Sequence, residues 1–325
     1  MRLYVTLLLL STAAFSDHKN IADRHAPIGV MKDHIHKPGE FMFSLRAVNM
    51  KMDELINGSD EKSIQDYKDA NNKSMIPTDM NMKMYMIGAM YGLTDKITLG
   101  VMQGYMKNTM EMEMAMNGME SESETQGLGD TSLSALYGII DEQDLKLVGN
   151  IGLTLPLGSI EEEKNDMILG YPMQLGSGSY GASFGVTGIK YIDIYSAGAQ
   201  VQGKTFLGRN DEDYRLGNEY TFTSWISVMP VESFSLSLRL ERKQFERLSG
   251  MNEDMHSMMS TTHDTKFSTR RCDSVLVGAN YIFRSGALEG HRLAFEYGKL
   301  AGFDVNDFQL APTETMVFGW QKAFQ

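Results

Sequence analysis

Apolar and polar residues alternate along most of this chain, and the alternation constrains its fold more than any other feature. Segments such as EFMFSLRAVNMKM, KITLGVMQGYM and FSLSLRLERKQF place apolar side chains at every second position. A period of two is typical of β-strands whose two faces meet different surroundings. About twelve strands are predicted, at 39–52, 80–93, 97–114, 128–140, 145–157, 178–192, 194–207, 218–230, 233–246, 271–283, 291–301 and 313–324.

The connections between these strands alternate in length. Short turns separate the long segments 53–79, 115–127, 158–177, 208–217, 247–270 and 302–312. Outer-membrane barrels have short periplasmic turns, longer outer loops and an even number of strands. The sequence therefore predicts an all-β protein, an antiparallel transmembrane β-barrel of residues 39–325. We expect it to lie in a bacterial outer membrane, with lipid as its surroundings.

Both ends of the chain agree with export and barrel closure. Residues 1–16, MRLYVTLLLLSTAAFS, combine a basic start, an apolar run and small final residues, which is the pattern of a secretory signal peptide. Residues 17–38 are then either a periplasmic segment or a lumen plug. The final stretch, TETMVFGWQKAFQ, places its aromatic residues on one face of a closing strand. We expect the outer-membrane assembly machinery to engage that strand.

Composition excludes several classes of function. A net charge of −12 argues against nucleic acid as a partner, since phosphate binding needs a basic face. Cys272 is the single cysteine, which excludes a disulfide framework. Ser177 and Ser179 in QLGSGSYG have no histidine partner at the level of sequence, so a barrel hydrolase is the weakest hypothesis. We expect no catalytic residues.

The stretch 79–119 carries nearly half of the 26 methionines. A three-residue turn centred on Asp95 directs these methionines to the lumen and sets Met84 opposite Met106 and Met80 opposite Met110. A two-residue turn would shift the parity and send the methionines of the earlier strand to lipid. The first register places the clearly apolar faces of both strands toward lipid, and the sequence therefore favours it.

Two interpretations of the methionines remain open. Methionine is an adaptable apolar side chain that can line a lumen. Thioethers and imidazoles also bind soft ions, so Cu(I) or Ag(I) is the metal that such a set would take, although no cofactor is required. The candidate ligands near the outer rim are Met80, Met82, Met84, Met106, Met110, Met112, Met114, Met251, Met255, His256, Met258, Met259 and His263. His25, His34 and His36 in RHAPIGVMKDHIHKPGE are a second set.

Several segments resemble the family of outer-membrane proteins named for the MetA pathway of phenol degradation. The similar segments include HAPIGVMKDHIHKPGEFMFSLR, DMNMKMYMIGAMYGLTDKITLGVM and GLGDTSLSALYGI, and the chain looks like a methionine- and histidine-rich subgroup. The resemblance implies a barrel with a transport role and transfers no catalytic residues. We therefore expect a channel or transporter for a small solute, either an aromatic or hydrophobic compound or a metal ion. The alternative is a non-conducting barrel that binds Cu(I) or Ag(I) in copper handling.

Overall fold

The computed structural model describes residues 21–22 and 25–324. The predicted signal peptide, 1–16, lies outside the described residues. Among the residues described, no helix is long and apolar enough to cross a membrane. The α-helix α1 spans Ile64–Ala70, and single turns of 3-10 helix occur at Tyr171–Met173, Thr261–His263 and Thr265–Phe267.

Strands dominate the described chain. They are β1 (Phe41–Gly58), β2 (Asp60–Glu61), β3 (Met75–Gly92), β4 (Ile97–Met114), β5 (Glu120–Asp141), β6 (Leu145–Leu155), β7 (Glu163–Lys164), β8 (Met167–Ile168), β9 (Gly181–Ile192), β10 (Tyr195–Phe206), β11 (Tyr214–Arg215), β12 (Glu219–Val231), β13 (Phe234–Phe245), β14 (Ser249–Gly250), β15 (Arg270–Ile282) and β16 (His291–Phe324). The pairs β7–β8 and β11–β14 lie in loops, away from the main sheet.

The main sheet closes on itself. Its described strands follow the order β16-β15-β13-β12-β10-β9-β6-β5-β4-β3-β1, and β16 also pairs with β1, while the short β2 is bonded to β1 outside the ring. All neighbours are antiparallel. The ring leaves no free edge, which is the condition for a sheet to lie in hydrocarbon. The predicted antiparallel barrel is confirmed.

The last strand, β16, spans the barrel from end to end twice. Its first arm pairs with β15, its second arm pairs with β1, and Val305 pairs with both Arg270 and Gly58. The eleven strands of the ring therefore make twelve crossings, as predicted. The predicted loop at 302–312 is wrong, because both arms of β16 find partners and the chain stays extended through the reversal.

Connection lengths differ between the two ends of the barrel, except that the outer connection 115–119 and the extended reversal of β16 are shorter than the turn 283–290. The turns 93–96, 142–144, 193–194 and 232–233 and the turn 283–290 lie at one end, and the longer loops 59–74, 156–180, 207–218 and 246–269 lie at the other. By the usual orientation the short turns are periplasmic. Two predicted loops are too long: 53–79 contracts to 59–74, and 115–127 to 115–119, since β3, β4 and β5 continue past the lipid-facing region.

The outward face shows where the bilayer lies on β3 and β4. Tyr85 pairs with Tyr105 and both rings are exposed, and the next outward pair is Lys83 with Lys107. Aromatic residues at the edge of an apolar band mark the membrane interface. Toward the periplasm the band ends near Tyr91, whose ring lies 5.1 Å from that of Phe41. Above Tyr85 the strands therefore leave the lipid and extend into the outer medium.

Candidate functional site

The N-terminal segment, defined as residues 25–40, lies inside the barrel. Its backbone is held by inward side chains of two separate strands: Gln200 of β10 donates to the Met31 carbonyl, and the His36 amide donates to Thr98 of β4. Ile28 is 1% exposed, and it packs with Val48 of β1 and Val317 of β16. The segment thus spans the lumen near its periplasmic end, at the level where β4 begins.

A buried ion pair on the wall fixes the middle of this segment. Arg239 donates to Glu296 from its Nε atom at 2.7 Å and from an Nη atom at 3.1 Å, and Glu241 accepts from the other Nη. The Gly29 amide donates to the same Glu296 carboxylate at 2.9 Å. A Cβ at position 29 would overlap both the guanidinium and the carboxylate, so only glycine fits this approach. The contact ties the segment to β13 and β16.

Three histidines of the segment meet in one cluster. The His25 and His34 rings are 4.4 Å apart between centroids, and the His34 and His36 rings are 4.9 Å apart. Asp33 joins them: one atom each of His25, Asp33 and His34 lies within 4.8 Å of the others. His25 Nδ1, His34 Nε2 and His36 Nε2 are buried and have no hydrogen-bond partner. We call these four residues the histidine cluster.

Carboxylates face the opposite nitrogens of two of these rings. Asp33 Oδ1 lies 2.8 Å from His34 Nδ1, and Asp33 Oδ2 accepts the Ala26 amide at 2.8 Å. Glu40 Oε2 lies 3.6 Å from His36 Nδ1. Each carboxylate holds its imidazole with Nε2 turned away from it. The partnerless nitrogens of His34 and His36 therefore belong to rings whose orientation is fixed.

Burial and neighbouring charges shift the pKa values of the residues in the histidine cluster. Burial lowers the pKa of His25 well below its ordinary value, and His34 and Arg292 lower it further. Burial also lowers the pKa of His36, against the opposing effect of Glu40. Burial alone would raise the pKa of Asp33, but the charge and hydrogen bond of His34 outweigh it and hold that pKa well below its usual range. His25 and His36 are thus neutral at neutral pH and Asp33 is ionised.

Methionines of β1, β3 and β4 line one side of the lumen, and we call them the methionine wall. The structure pairs Met80 with Met110 and Met84 with Met106, which confirms the predicted register and its inward parity. Met52 pairs with Met80 in turn, so three methionines form a row across neighbouring strands. The wall comprises Met42, Met50, Met52, Met80, Met82, Met84, Met86, Met90, Met102, Met106, Met110, Met112 and Met114.

The upper part of the wall is covered by a loop. Met80 and Met110 are buried against Met173, which lies in the 3-10 turn of the loop 156–180, and Met52, Met82 and Met112 pack around them. Met80 is five residues beyond Tyr85, roughly 12 Å along the barrel axis at the usual strand tilt. This cluster therefore lies above the outer membrane interface.

The wall continues down to the N-terminal segment. Met90 of β3 pairs with Gly100 of β4, and the next inward residue of β4 is Thr98, which accepts the His36 amide at 2.7 Å. Thioethers thus follow one side of the lumen from the outer rim to the histidine cluster. The inward faces of the remaining walls are mixed: Asn150, Gln200 and Glu296 are buried there, and so are apolar residues such as Trp225 and Leu276.

The loop 246–269 lies across the outer end of the barrel. The Met75 amide of β3 donates to the Met259 carbonyl, the Thr261 amide donates to Tyr67, and Lys73 bonds both Ser257 and Asp264. Of its predicted ligands, Met255 and His263 are buried, whereas Met251, His256 and Met258 are exposed. Burial lowers the pKa of His263 to about 4. Among the residues that the structure describes, the apolar cluster around Met80 and Met110 contains no methionine of this loop.

The predicted ligands therefore fall into separate groups. His25, His34 and His36 come together, as do Met80, Met82, Met110 and Met112. No sequence pattern indicated four further residues of these groups: Asp33, Glu40, Met52 and Met173. Met173 follows a proline in a loop, where no periodicity marks it, whereas Asp33 adjoins His34 and a search for mixed histidine and carboxylate spacing would have found it.

Comparisons with known proteins address the fold. No family model matches the chain, and no curated protein matches it. Among solved structures, an outer-membrane channel from Pseudomonas putida F1 is similar at a TM-score of 0.61, with 13% identity over 90% of this chain and 98% of that one. A FadL homologue from Pseudomonas aeruginosa has a TM-score of 0.42 (8% identity, 88% of this chain and 90% of that one). The CymD monoaromatic hydrocarbon channel has a TM-score of 0.43 (7% identity, 89% and 90%). The fold is that of a bacterial outer-membrane barrel, and its apolar outer face belongs in that membrane.

Proposed function

We propose that the protein is an outer-membrane channel for a small solute with an apolar or aromatic body, which it passes along the methionine wall. The observation that carries the proposal is the continuity of that wall, from Met80 and Met110 at the outer rim to Met90 beside the N-terminal segment. Thioether sulfur makes favourable contacts with aromatic rings, and unbranched methionine side chains adapt to solutes of different shapes. The fold shared with a solved outer-membrane channel supports the proposal.

In this proposal the N-terminal segment controls passage at the periplasmic end. Its contacts with the walls are single hydrogen bonds and small apolar clusters around Ile28 and Val30, distributed over many strands. No described residue of the segment belongs to a strand before Phe41. It can therefore leave its seat without breaking the ring of strands, and its movement opens the lumen.

A second function is favoured by the upper methionine cluster. Met52, Met80, Met110 and Met173 bring their thioethers together in one apolar cluster. Soft sulfur ligands select Cu(I). The alternative is a barrel that retains Cu(I) or Ag(I) at this cluster and conducts nothing.

Liposome swelling and copper titration separate the two functions. We expect benzoate to enter liposomes containing the protein faster than arabinose. Replacing Met80, Met84, Met106 and Met110 by Leu keeps the wall apolar but removes sulfur, so benzoate flux stays within about twofold. Replacing the same four by Gln makes the wall polar and removes the preference for benzoate.

A Cu(I)-retaining barrel should give the opposite results in these two assays. If the protein serves to retain Cu(I), the Leu variant loses Cu(I) affinity measured by competition with a chromogenic chelator, and neither solute enters. Absence of flux and of single-channel conductance, both in the wild type and in a variant lacking residues 25–37, would contradict the channel proposal. Heat-modifiable migration in detergent gels verifies that each variant has a folded barrel.

A further inference from the structure

The histidine cluster has the composition and geometry of a site for a divalent transition metal, distinct from the methionine wall. We propose that His25, His34 and His36 bind one Zn²⁺ or Cu²⁺ ion inside the barrel, with Asp33 and Glu40 orienting the ligands. The inference concerns a different site from the proposed channel function and does not depend on it.

Buried nitrogen atoms without hydrogen-bond partners are the first feature that indicates a metal site. Burying a polar atom without a hydrogen bond is unfavourable, and most buried polar atoms in proteins have partners. Here three imidazole nitrogens within one short segment, from His25, His34 and His36, are buried and lack partners in the structure. A metal ion bound by all three would satisfy them together.

The carboxylates beside the histidine rings are the second feature. Histidine ligands of metals characteristically donate their other ring N–H to a carboxylate, which fixes the tautomer and the ring orientation. Asp33 holds this relation to His34 at 2.8 Å, and Glu40 faces the corresponding nitrogen of His36 at 3.6 Å. Both Asp33 oxygens are already engaged, with His34 and with the Ala26 amide, so Asp33 is an orienting residue.

The spacing of the candidate ligand atoms is the third feature. Zn²⁺ lies about 2.0–2.1 Å from histidine nitrogens, so tetrahedral ligand atoms are roughly 3.4 Å apart. The candidate atoms of His25, Asp33 and His34 lie within 4.8 Å of one another. The His36 ring adjoins this group, with its centroid 4.9 Å from that of His34, and the His25 and His34 centroids are 4.4 Å apart. Imidazole nitrogens suit Zn²⁺ and Cu²⁺ better than Cu(I), which prefers thioethers.

The metal would act on the N-terminal segment itself. All three ligands belong to residues 25–36, a stretch in which the structure has turns and bends but no strand or regular helix. An ion that joins His25 to His34 closes a loop within this stretch and removes conformational freedom from its undocked state. The metal-bound segment then already has the conformation that contacts Glu296 and Thr98.

The test is metal binding by the purified full-length barrel after treatment with a chelator. Calorimetric titration with Zn²⁺, repeated with Cu²⁺, should show one ion bound that is lost in the His25→Ala/His34→Ala double variant. Asp33→Asn keeps the ligands but removes the orienting charge, and we expect affinity about 10–100-fold weaker. His256→Ala, which removes an exposed histidine of the outer loop, is the matched control and should bind like the wild type.

A second readout does not depend on affinity. Zn²⁺ should slow the hydrogen exchange of amides in residues 25–37 of the wild type and leave that of the double variant unchanged. Equal Zn²⁺ binding by the wild type and the double variant would overturn the proposal, as would an absence of binding in a barrel that migrates as folded. Conductance is not among these readouts, so failure of the channel proposal would leave this result intact.

Discussion

Replacing Gly29 by Ala should release the N-terminal segment from the wall. The added methyl group would overlap the Arg239 guanidinium and the Glu296 carboxylate, both of which are fixed by their mutual hydrogen bonds. The segment must therefore move away, and the 2.9 Å hydrogen bond from the Gly29 amide to Glu296 is lost. A hydrogen bond to a charged group contributes about 1.5–3 kcal/mol.

The loss of this hydrogen bond should change the population of the undocked form of the segment by a measurable amount. Since about 1.4 kcal/mol corresponds to a factor of ten in an equilibrium constant, the undocked form should become roughly 10–100-fold more populated. Hydrogen exchange of amides in residues 25–37, followed by mass spectrometry, should accelerate by a similar factor. If the proposed channel function is correct, single-channel recordings should also show longer open periods.

The control uses another inward-facing glycine. A Cβ at Gly104 meets only Met84, at 3.9 Å, which is ordinary contact, so Gly104→Ala should leave exchange in the segment unchanged. Wild-type protection of residues 25–37 in a folded Gly29→Ala barrel would refute the argument that the segment is seated on the Arg239–Glu296 pair.

Two further perturbations test the outward face and the outer loop. Val101→Arg places a charge on the lipid-facing side of the barrel, where it should cost about 2–4 kcal/mol near the midplane. We expect a smaller folded fraction of this variant in refolding assays into liposomes. Lys83→Glu is the control, because Lys83 lies above the tyrosine pair, and it should fold normally. Burial lowers the pKa of His263 from 6.5 to about 4, so the unfolded loop binds more protons than the folded loop between these pH values. The contribution of neutral His263 to the stability of the folded loop is complete above about pH 6.5. It falls by on the order of 3 kcal/mol as the pH drops to about 4. A fluorophore on Met258→Cys in a Cys272→Ser background should report this transition, and a transition that persists unchanged in His263→Asn would exclude His263 as its cause.

The strands of the barrel could be predicted because lipid and lumen impose opposite preferences on alternate residues. The pairing of Met80 with Met110 followed from the parity of one turn, with Tyr85 and Leu99 on the lipid side. The extent of β4 and β5 beyond the membrane could not be predicted in the same way. There the outward face meets water and carries residues such as Glu111, so composition no longer distinguishes a paired strand from a loop.

The interior of the lumen was the least predictable part. Gly29 meets Glu296 across 267 positions of sequence, and no local pattern reports such a contact. The three histidines share neither a strand face nor a helix face in sequence, and the turns between His25 and His34 bring them together. Met173 reaches the upper cluster from a loop whose path depends on its neighbours.

The pairing of the first and last strands also bears on biogenesis. The polypeptide passes from the enclosed residues into β1 within a few positions, and β1 is joined laterally to the final residues, Phe41 beside Phe324. The cylinder cannot be sealed until the carboxyl end has been delivered, and the strand that receives this end is the one into which the enclosed residues lead. Sealing of the wall therefore fixes the strand that carries the enclosed residues.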